Sequence, residues 1–176
     1  MGRIAFVTDS TAGLPQDQVE KYRVVVVPLQ VIFGTESFRD GIDLTQREFF
    51  ERLKSARTLP TTSQPAVADF EEAYESLLAD PDVDSIVSVH ISSRLPSGTY
   101  SSAAQAAERV ASGHNKKITV IDSWSAYMGE GLMVIDGARA AEGDASHEDV
   151  VKLIEEMRPN VKILLLVDTL EYLARG

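Results

Sequence analysis

Cysteine is absent from the 176 residues of this chain, which excludes disulfides, thiolate metal sites and cysteine nucleophiles. Histidine is scarce, with three residues, so a histidine-based catalytic or metal site has few candidates. Basic residues are outnumbered, at 17 against 27 acidic ones, and the formal net charge is -10. Because such a surface repels phosphate backbones and anionic membranes, we expect no binding to nucleic acid.

Long apolar runs are also missing. The longest aliphatic runs, residues 24–27 and 163–167, have the length of strands and fall far below a membrane span. A secretory signal is not visible, because the run at residues 4–7 is short and is followed at once by Asp9. We therefore predict no membrane insertion and, by default, a cytoplasmic protein.

Short aliphatic runs alternate with amphipathic segments along the chain. Strands are predicted at residues 4–7, 24–33 with a bend or an interruption at Pro28, 85–91, 118–121 and 161–167. Helices are predicted after the capping box of Thr45 and Glu48, at residues 67–78 and 98–112, and after the N-cap Ser146. The order favours an α/β fold, a doubly wound and mostly parallel sheet with helices on both faces. Residues 34–44 and 57–65 are predicted as long loops.

Small hydroxyl residues follow the predicted strands. The segments are Thr8-Asp9-Ser10-Thr11, Ser92-Ser93 with Ser97-Gly98-Thr99, and Asp122-Ser123, and the loop Thr61-Thr62-Ser63-Gln64 adds more. Ligands of open α/β sheets bind beyond the carboxyl ends of the strands, which places these side chains around a site. Helix N-termini there would offer amides to an acidic ligand. The same residues are ordinary helix caps, so an interaction module whose hydroxyls are caps alone stays open.

Catalytic signatures are sparse. His90 lies in a strand pattern typical of a packed core residue, His114 lies in a polar turn, and His147 lies in the first turn of a helix. The nucleophile elbow, the Walker A motif and the dinucleotide fingerprint are absent, and Gly129-Glu130-Gly131 is too short for a phosphate loop. No metal and no cofactor are predicted. An enzyme alternative, a hydrolase or phosphotransferase using Asp9 and Ser93, would need a base or metal close by.

Taken together, these segments resemble the DegV family. The segments that carry the resemblance are Thr8-Asp9-Ser10-Thr11, Val27-Pro28-Leu29, Phe33-Gly34, Asp40-Gly41-Ile42-Asp43, Thr62-Ser63-Gln64-Pro65, Asp69-Phe70, Ile91-Ser92-Ser93, Ser97-Gly98-Thr99-Tyr100, Ile121-Asp122-Ser123 and Asp168-Thr169-Leu170-Glu171-Tyr172-Leu173. The match spans essentially the whole chain, and the Thr-Ser-Gln-Pro and Ser-Gly-Thr-Tyr elements are its specific parts. Pro96 departs from the pattern by adding a residue between Leu95 and Ser97.

The resemblance implies a non-catalytic protein that binds a long-chain fatty acid. The acyl chain would lie in an apolar tunnel between two domains, and the protein would present it to a separate fatty acid kinase subunit. Carried over by motif, the residues holding the carboxylate are Thr62 and Ser93, with Ser63, Ser92, Gly98 and Thr99 nearby. Hydroxyl and amide donors bind a carboxylate through charge-assisted hydrogen bonds without a fixed positive charge.

The resemblance also implies a domain boundary. Residues 1–158 would form the N-terminal domain, and residues 159–176 would begin a C-terminal domain, with its first strand and helix, that is otherwise absent from the chain. Because the apolar interface of such a chain would be uncovered, we expect self-association through that surface.

Overall fold

The computed structural model describes residues 2–164, 166, 167 and 170. Within these residues the strands are β1 (Arg3–Asp9), β2 (Val25–Val27), β3 (Gln30–Phe33), β4 (Glu36–Arg39), β5 (Thr61–Ser63), β6 (Val83–His90) and β7 (Lys117–Asp122). The helices are α1 (Gln16–Tyr22), α2 (Gln46–Ser55), α3 (Val67–Leu78), α4 (Thr99–Ala111), α5 (Met128–Glu142) and α6 (His147–Met157). A short 3-10 turn at Ser10–Ala12 follows β1.

The main sheet is parallel and has the order β2-β1-β6-β7. The chain moves from β1 outward to β2 and later returns beside β1 with β6, so the sheet is doubly wound as predicted. The reversal lies between β1 and β6, and the loops that follow these two strands diverge there. A crevice at such a switch point is where open α/β sheets bind ligands.

Helices cover both faces of this sheet. On one face, Phe70 and Tyr74 of α3 and Ala103 and Ala106 of α4 are fully buried against β1 and β6. On the other face, Met133 of α5 and the apolar sides of α1 and α6 pack against the same strands. Both faces of the sheet are therefore apolar, which explains why its strands are nearly continuous aliphatic runs.

The capping box predicted at Thr45 is confirmed. Thr45 Oγ1 accepts a hydrogen bond from the Glu48 amide at 3.3 Å, and the Glu48 carboxylate accepts one from the Thr45 amide at 2.9 Å. The helices α3, α4 and α6 also form where the sequence predicts them, whereas α1 and α5 were not predicted. The described helices include none that combines the length and hydrophobicity needed to cross a membrane.

The structure interrupts the predicted strand at residues 24–33 at Pro28 and divides it between two sheets. β2 belongs to the parallel sheet, and β3 belongs to an antiparallel sheet of order β4-β3-β5. Pro28 has no amide hydrogen, and the Leu29 amide donates to Ser10 Oγ at 3.1 Å instead of to a strand. The loops predicted at residues 34–44 and 57–65 contain β4 and β5.

The strand predicted at residues 161–167 is not formed in the part of it that the structure describes. Residues 161–164, 166 and 167 lie outside every helix and strand, and Leu164 and Leu166 are 96% and 100% exposed. A strand needs a hydrogen-bonding partner, and the described residues provide none for this segment. The helix predicted after it lies outside the described residues except for Leu170, and the domain boundary at residue 158 stays a prediction.

Candidate ligand-binding site

A groove of about 550 Å³ opens at the carboxyl ends of β1 and β2. Asp9 and Ser10 line it at the end of β1, and Asp40 and Gln46 add polar groups on the opposite side. Its apolar lining comes from Leu14, Val19, Val26, Pro28, Ile42 and Tyr127. A groove of this size, lined by apolar and polar groups in similar measure, has the dimensions of a small-molecule site.

The segment Thr8-Asp9-Ser10-Thr11 shapes the floor of this groove. Asp9 caps the 3-10 turn, since its Oδ1 accepts hydrogen bonds from the amide and the hydroxyl of Thr11 at 3.0 and 2.5 Å. Ser10 Oγ accepts the Leu29 amide hydrogen and so joins the turn to the chain before β3. These side chains therefore act as caps and also place the segment at the groove.

Asp9 is paired with His90, which the sequence predicted to be a core residue. Both side chains are 0% exposed, and His90 Nδ1 lies 3.0 Å from Asp9 Oδ2, which also accepts the Ile91 amide hydrogen. Burial alone would raise the pKa of Asp9, but the hydrogen bond and charge of His90, with those of Thr11 and Ile91, outweigh it and lower that pKa. Asp9 is therefore an ionised carboxylate with its acceptors occupied.

The hydrogen bonds continue from His90 into the core. His90 Nε2 lies 2.7 Å from Ser88 Oγ, and Ser88 Oγ lies 2.8 Å from the Tyr74 hydroxyl, whose pKa is raised by burial. Ser88, His90 and Asp9 thus have the connectivity of a Ser-His-Asp triad. All three are 0% exposed and Ser88 also bonds Tyr74, so a substrate cannot reach the serine. The arrangement is a buried hydrogen-bond network.

Glu130 is the third buried titratable side chain at this place. It is 0% exposed, and its Oε1 lies 2.9 Å from Thr8 Oγ1. Burial raises the pKa of Glu130 well above its usual value, and the negative charge of Asp9 raises it further. Gly129-Glu130-Gly131 is too short for a phosphate loop, but its second glycine is required by packing. A Cβ on Gly131 would lie 2.6 Å from the Ala12 carbonyl oxygen.

One ligand atom from each of Asp9, His90 and Glu130 lies within 4.8 Å of the other two, close enough for three groups to share one ion. However, Asp9 and His90 already bond each other, and Glu130 bonds Thr8. The donors and acceptors satisfy one another, so the structure favours a hydrogen-bonded cluster over a cation site. Asp9, His90 and Glu130 are far apart along the chain, so no local sequence pattern indicates that they meet.

The serines after β6 are held by the loop after β7. Ser92 is buried, with its amide bonded to the Ser125 carbonyl and its Oγ accepting the Arg94 amide hydrogen at 3.2 Å. Ser93 is exposed, and its amide and hydroxyl both donate to the Asp122 carboxylate, at 3.1 and 2.5 Å. Ser93 therefore carries a hydroxyl at the surface, but an acidic side chain occupies its hydrogen.

The chain that contains Thr62 passes close to Gly98, which precedes α4. Thr62 is exposed in β5 opposite Val31 of β3, and Ser63 is half-buried opposite Gln30. A Cβ on Gly98 would lie 2.8 Å from Gln64 Nε2, so a larger residue there would have to displace the Gln64 side chain. Thr99 is buried at the start of α4, and its Oγ1 lies 2.9 Å from Ser97 Oγ.

The structure thus brings together two pairs of predicted segments, the Ser93 loop with Asp122 and the Thr62 strand with Gly98. Among the described residues, no hydrogen bond joins Thr62 to Ser93 or Asp9 to Ser93. Asp9 and Ser93, the pair required by the enzyme alternative, belong to separate sets of hydrogen bonds. The extra residue Pro96 lies in a turn closed by hydrogen bonds from Leu95 to Ser92 and from Ser97 to Leu95.

A second cavity, of about 490 Å³, lies at the opposite end of the parallel sheet. Ile4, Phe6 and Ala138 contribute apolar lining, and Tyr22 and His147 contribute polar groups. Burial and the charge of Lys117 lower the pKa of His147, so its ring is neutral at physiological pH. This cavity is remote from the carboxyl ends of the strands, and none of the predicted site residues lines it. The groove at β1 and β2 is lined by Asp9 and Ser10 of the predicted segments, but not by Thr62, Ser63, Ser92, Ser93, Gly98 or Thr99.

Comparison with known proteins gives consistent matches. The family model described as "Uncharacterised protein, DegV family" matches residues 3–176. Protein DegV of Bacillus subtilis is 38% identical over 174 residues, covering 98% of this chain and 60% of its own length. A DegV domain-containing protein of Caldanaerobacter subterraneus is 36% identical and is covered to the same extent, 60%. The chain therefore spans about 60% of the length of the curated relatives it matches.

Solved structures of DegV family proteins are similar to this chain in fold. A DegV family protein from Thermus thermophilus, described by its fatty acid binding, has a TM-score of 0.82 and 36% identity, covering 99% of this chain and 60% of that one. DegV of Bacillus subtilis, described as a fatty acid binding protein, has a TM-score of 0.81 and 37% identity, covering 90% of this chain and 55% of that one.

Proposed function

The chain belongs to the DegV family, and from this premise we propose that it binds a long-chain fatty acid. The observation that carries the proposal is the groove at the carboxyl ends of β1 and β2, which combines apolar walls with a polar floor. The acyl chain lies along the apolar walls, where each buried methylene group contributes about 0.8 kcal/mol. The similar proteins described as fatty acid binding support the same ligand class.

The carboxylate is held by hydroxyl and amide donors of β5 and of the loop after β6, which lie outside the lining of the groove at β1 and β2. We assign Thr62 and Ser93 as the principal donors, with Ser63, Ser92, Gly98 and Thr99 shaping the two loops that carry them. Thr62 and Ser93 are both exposed to solvent, and a ligand carboxylate at Ser93 would replace Asp122 as the acceptor of its hydroxyl hydrogen. Gly98 lets the Thr62 segment approach α4, and the buried Ser92 anchors the loop that presents Ser93.

The protein acts as a carrier that does not itself catalyse a reaction, and it presents the bound fatty acid to a separate kinase subunit in the cytoplasm. The buried Ser88-His90-Asp9 network supports the absence of catalysis, because its serine is closed to substrate. Membership of a family whose relatives are longer supports a tunnel with a second wall. In the proposed boundary, residues 1–158 form the first domain and residues 159–176 begin the second.

Binding itself is tested by extracting lipid from the purified protein and by native mass spectrometry. We expect a fatty acid to co-purify with this chain and to bind the delipidated chain in a titration. Absence of co-purified lipid, together with no binding in the titration, would contradict the proposal.

The donor assignment is tested by Thr62→Ala and Ser93→Ala. Each change removes a charge-assisted hydrogen bond, and we expect fatty acid binding to weaken by roughly 1–3 kcal/mol. Thr61→Ala and Ser101→Ala are the matched controls. Thr61 precedes Thr62 in the same strand and points to its other face, and Ser101 is an exposed serine of α4. Equal losses in the variants and the controls would show that the hydroxyls serve only as caps or surface groups.

A further inference from the structure

The cluster of Asp9, His90 and Glu130 is fully buried, although two of its members are acids. Two buried carboxylates in contact cannot both be ionised without a large penalty in free energy. The structure must therefore assign the single negative charge to one acid, and the hydrogen bonds around each acid decide which one carries it.

Asp9 is surrounded by donors. Its Oδ1 accepts from the amide and the hydroxyl of Thr11, and its Oδ2 accepts from the Ile91 amide and faces His90 Nδ1. A carboxylate that accepts four hydrogen bonds in this way is stabilised in its ionised form.

Glu130 is in the opposite situation. The Thr8 hydroxyl has a single hydrogen, and it lies 2.8 Å from the Val89 carbonyl oxygen, which can only accept. With that hydrogen donated to Val89, the 2.9 Å contact between Thr8 Oγ1 and Glu130 Oε1 requires the hydrogen to come from Glu130. Likewise Thr11 Oγ1 lies 2.5 Å from Asp9 but 3.3 Å from Glu130, so its hydrogen serves Asp9. Glu130 is left as a neutral carboxylic acid.

We propose that neutral Glu130 is a positioning residue for the ligand groove, and that its ionisation at alkaline pH releases the bound fatty acid. The proposal rests on the proposed function. Glu130 Oε1 lies 2.9 Å from Thr8 Oγ1, the residue after Thr8 is Asp9, and Asp9 and Ser10 line the groove. A neutral acid here also keeps a second negative charge away from an anionic ligand.

The surroundings of Glu130 give the direction of the pH effect. The titratable groups that face it are Asp9 from β1 and His90 from β6, while the 3-10 turn contributes the uncharged Thr11. The titratable side chains of α1, Lys21 and Tyr22, lie beside the other end of α5, at Arg139 and Glu142. Helix α6 packs against the core through the apolar Val150 and Ile154. Loss of the Glu130 proton therefore places a second negative charge beside Asp9. For this reason, fatty acid binding is tight below the pKa of Glu130 and weak above it.

Glu130→Gln tests the proposal, because the amide keeps the shape and a donor for Thr8 but cannot ionise. Oleate affinity of the delipidated chain is measured from about pH 6 to about pH 10, with Glu108→Gln, an exposed glutamate of α4, as the matched control. We expect the affinity of the parent chain and the control to fall about tenfold or more across this range, and that of Glu130→Gln to stay within about twofold. Parallel pH profiles for the parent chain and Glu130→Gln would overturn the inference and leave the proposed function intact.

A second measurement does not depend on ligand or on a folded variant. With carbon-13 in the glutamate carboxyl groups, the delipidated parent chain should show the infrared band of a protonated carboxylic acid at neutral pH. The absence of that band, or its loss on adding magnesium or zinc ions, would overturn the inference by showing an ionised or metal-bound Glu130. If oleate fails to bind at every pH, the proposed function fails, and the infrared band alone decides whether Glu130 is neutral.

Discussion

Ser93 has a single hydroxyl hydrogen, and Asp122 accepts it in this structure. A fatty acid carboxylate at Ser93 would have to replace an existing anionic acceptor while lying close to its charge. The Asp122 carboxylate also accepts the amides of Ser93 and Trp124, so it holds together the loops after β6 and β7. Asp122 therefore holds the loop that carries Ser93 in place, and it also competes with the ligand carboxylate for the Ser93 hydroxyl hydrogen.

Asp122→Asn separates these two roles. The amide oxygen can still accept the backbone hydrogens of Ser93 and Trp124, while the amide nitrogen donates to Ser93 Oγ and frees its hydrogen. We expect fatty acid affinity to rise by roughly tenfold, since one hydrogen bond to a charged group contributes about 1.5 kcal/mol. Isothermal titration calorimetry against the parent chain measures the difference.

The control is Asp136→Asn, which removes the same charge from α5, where Asp136 pairs with Arg139. An equal rise in both variants would assign the effect to net charge. A fall in affinity for Asp122→Asn alone would show that Ser93 is not a carboxylate donor.

Individual residues show the limit of sequence reasoning. The hydroxyls at Thr8, Ser93 and Thr99 were found because they follow strands, which is a local pattern. The pairing of Ser93 with Asp122 and of Thr8 with Glu130 was not found, because Asp122 ends β7 and Glu130 lies in α5, and only the folded chain brings them together. Residue type thus predicted that hydroxyl groups lie at the ends of the strands, while tertiary contacts decide which of their hydrogens are free to bind a ligand.

At the level of elements, α5 depends on a close approach to the turn after β1. Two glycines flank Glu130, and the second of them, Gly131, lies over the Ala12 carbonyl oxygen. This approach is what places Glu130 within hydrogen-bonding distance of Thr8. Helix propensity would favour alanine over glycine here by about 1 kcal/mol, so contact with the turn explains the glycine better than helix stability does.

Gly131→Ala tests that packing. The added methyl group would lie 2.6 Å from backbone, which cannot move easily, and we expect the free energy of unfolding to fall by roughly 1–3 kcal/mol. Urea denaturation followed by circular dichroism measures it. At Gly113 an added Cβ meets its nearest neighbour at 3.7 Å, so Gly113→Ala should leave stability nearly unchanged. A stabilised Gly131→Ala variant would contradict the packing argument.

The elements that the sequence predicted share strong local signals. The capping box at Thr45 and the helical spacing at Phe70 and Tyr74 identify α2 and α3 almost to the residue. Helix α5 was missed because Gly129 and Gly131 resemble loop residues, although its interior packs on the sheet. Strands β4 and β5 are short and largely polar, so alternation could not reveal them.

For the whole molecule, the parallel sheet was predictable because its strands are covered on both faces. The aliphatic runs of β1 and β6 carry that information, and the alternation with helices then limits the topology to a doubly wound arrangement. The antiparallel sheet was not predictable, because its order β4-β3-β5 depends on the break at Pro28 and on pairing between segments that look like loops.

Exposed apolar side chains affect the oligomeric state of the molecule in solution. Ile163 lies beside Gly129 at the start of α5, and the segment it belongs to exposes Leu164 and Leu166 almost completely. Trp124 and Tyr127, in the connection that leads into α5, are 44% and 60% exposed. Apolar groups concentrated in this way are uncommon on the surface of a monomer. We therefore expect this chain to self-associate through them.

Sedimentation velocity over a range of concentrations measures the association. Burial of the leucines in a second copy drives it, so Leu164→Glu with Leu166→Glu should shift the chain to a monomer, since a charge cannot enter an apolar contact without a partner. Phe50→Glu is the control, because Phe50 is 49% exposed on α2, a different element. A parent chain that stays monomeric at high concentration would show that the exposed leucines do not drive association, and an equal effect of Phe50→Glu would place the contact elsewhere on the surface.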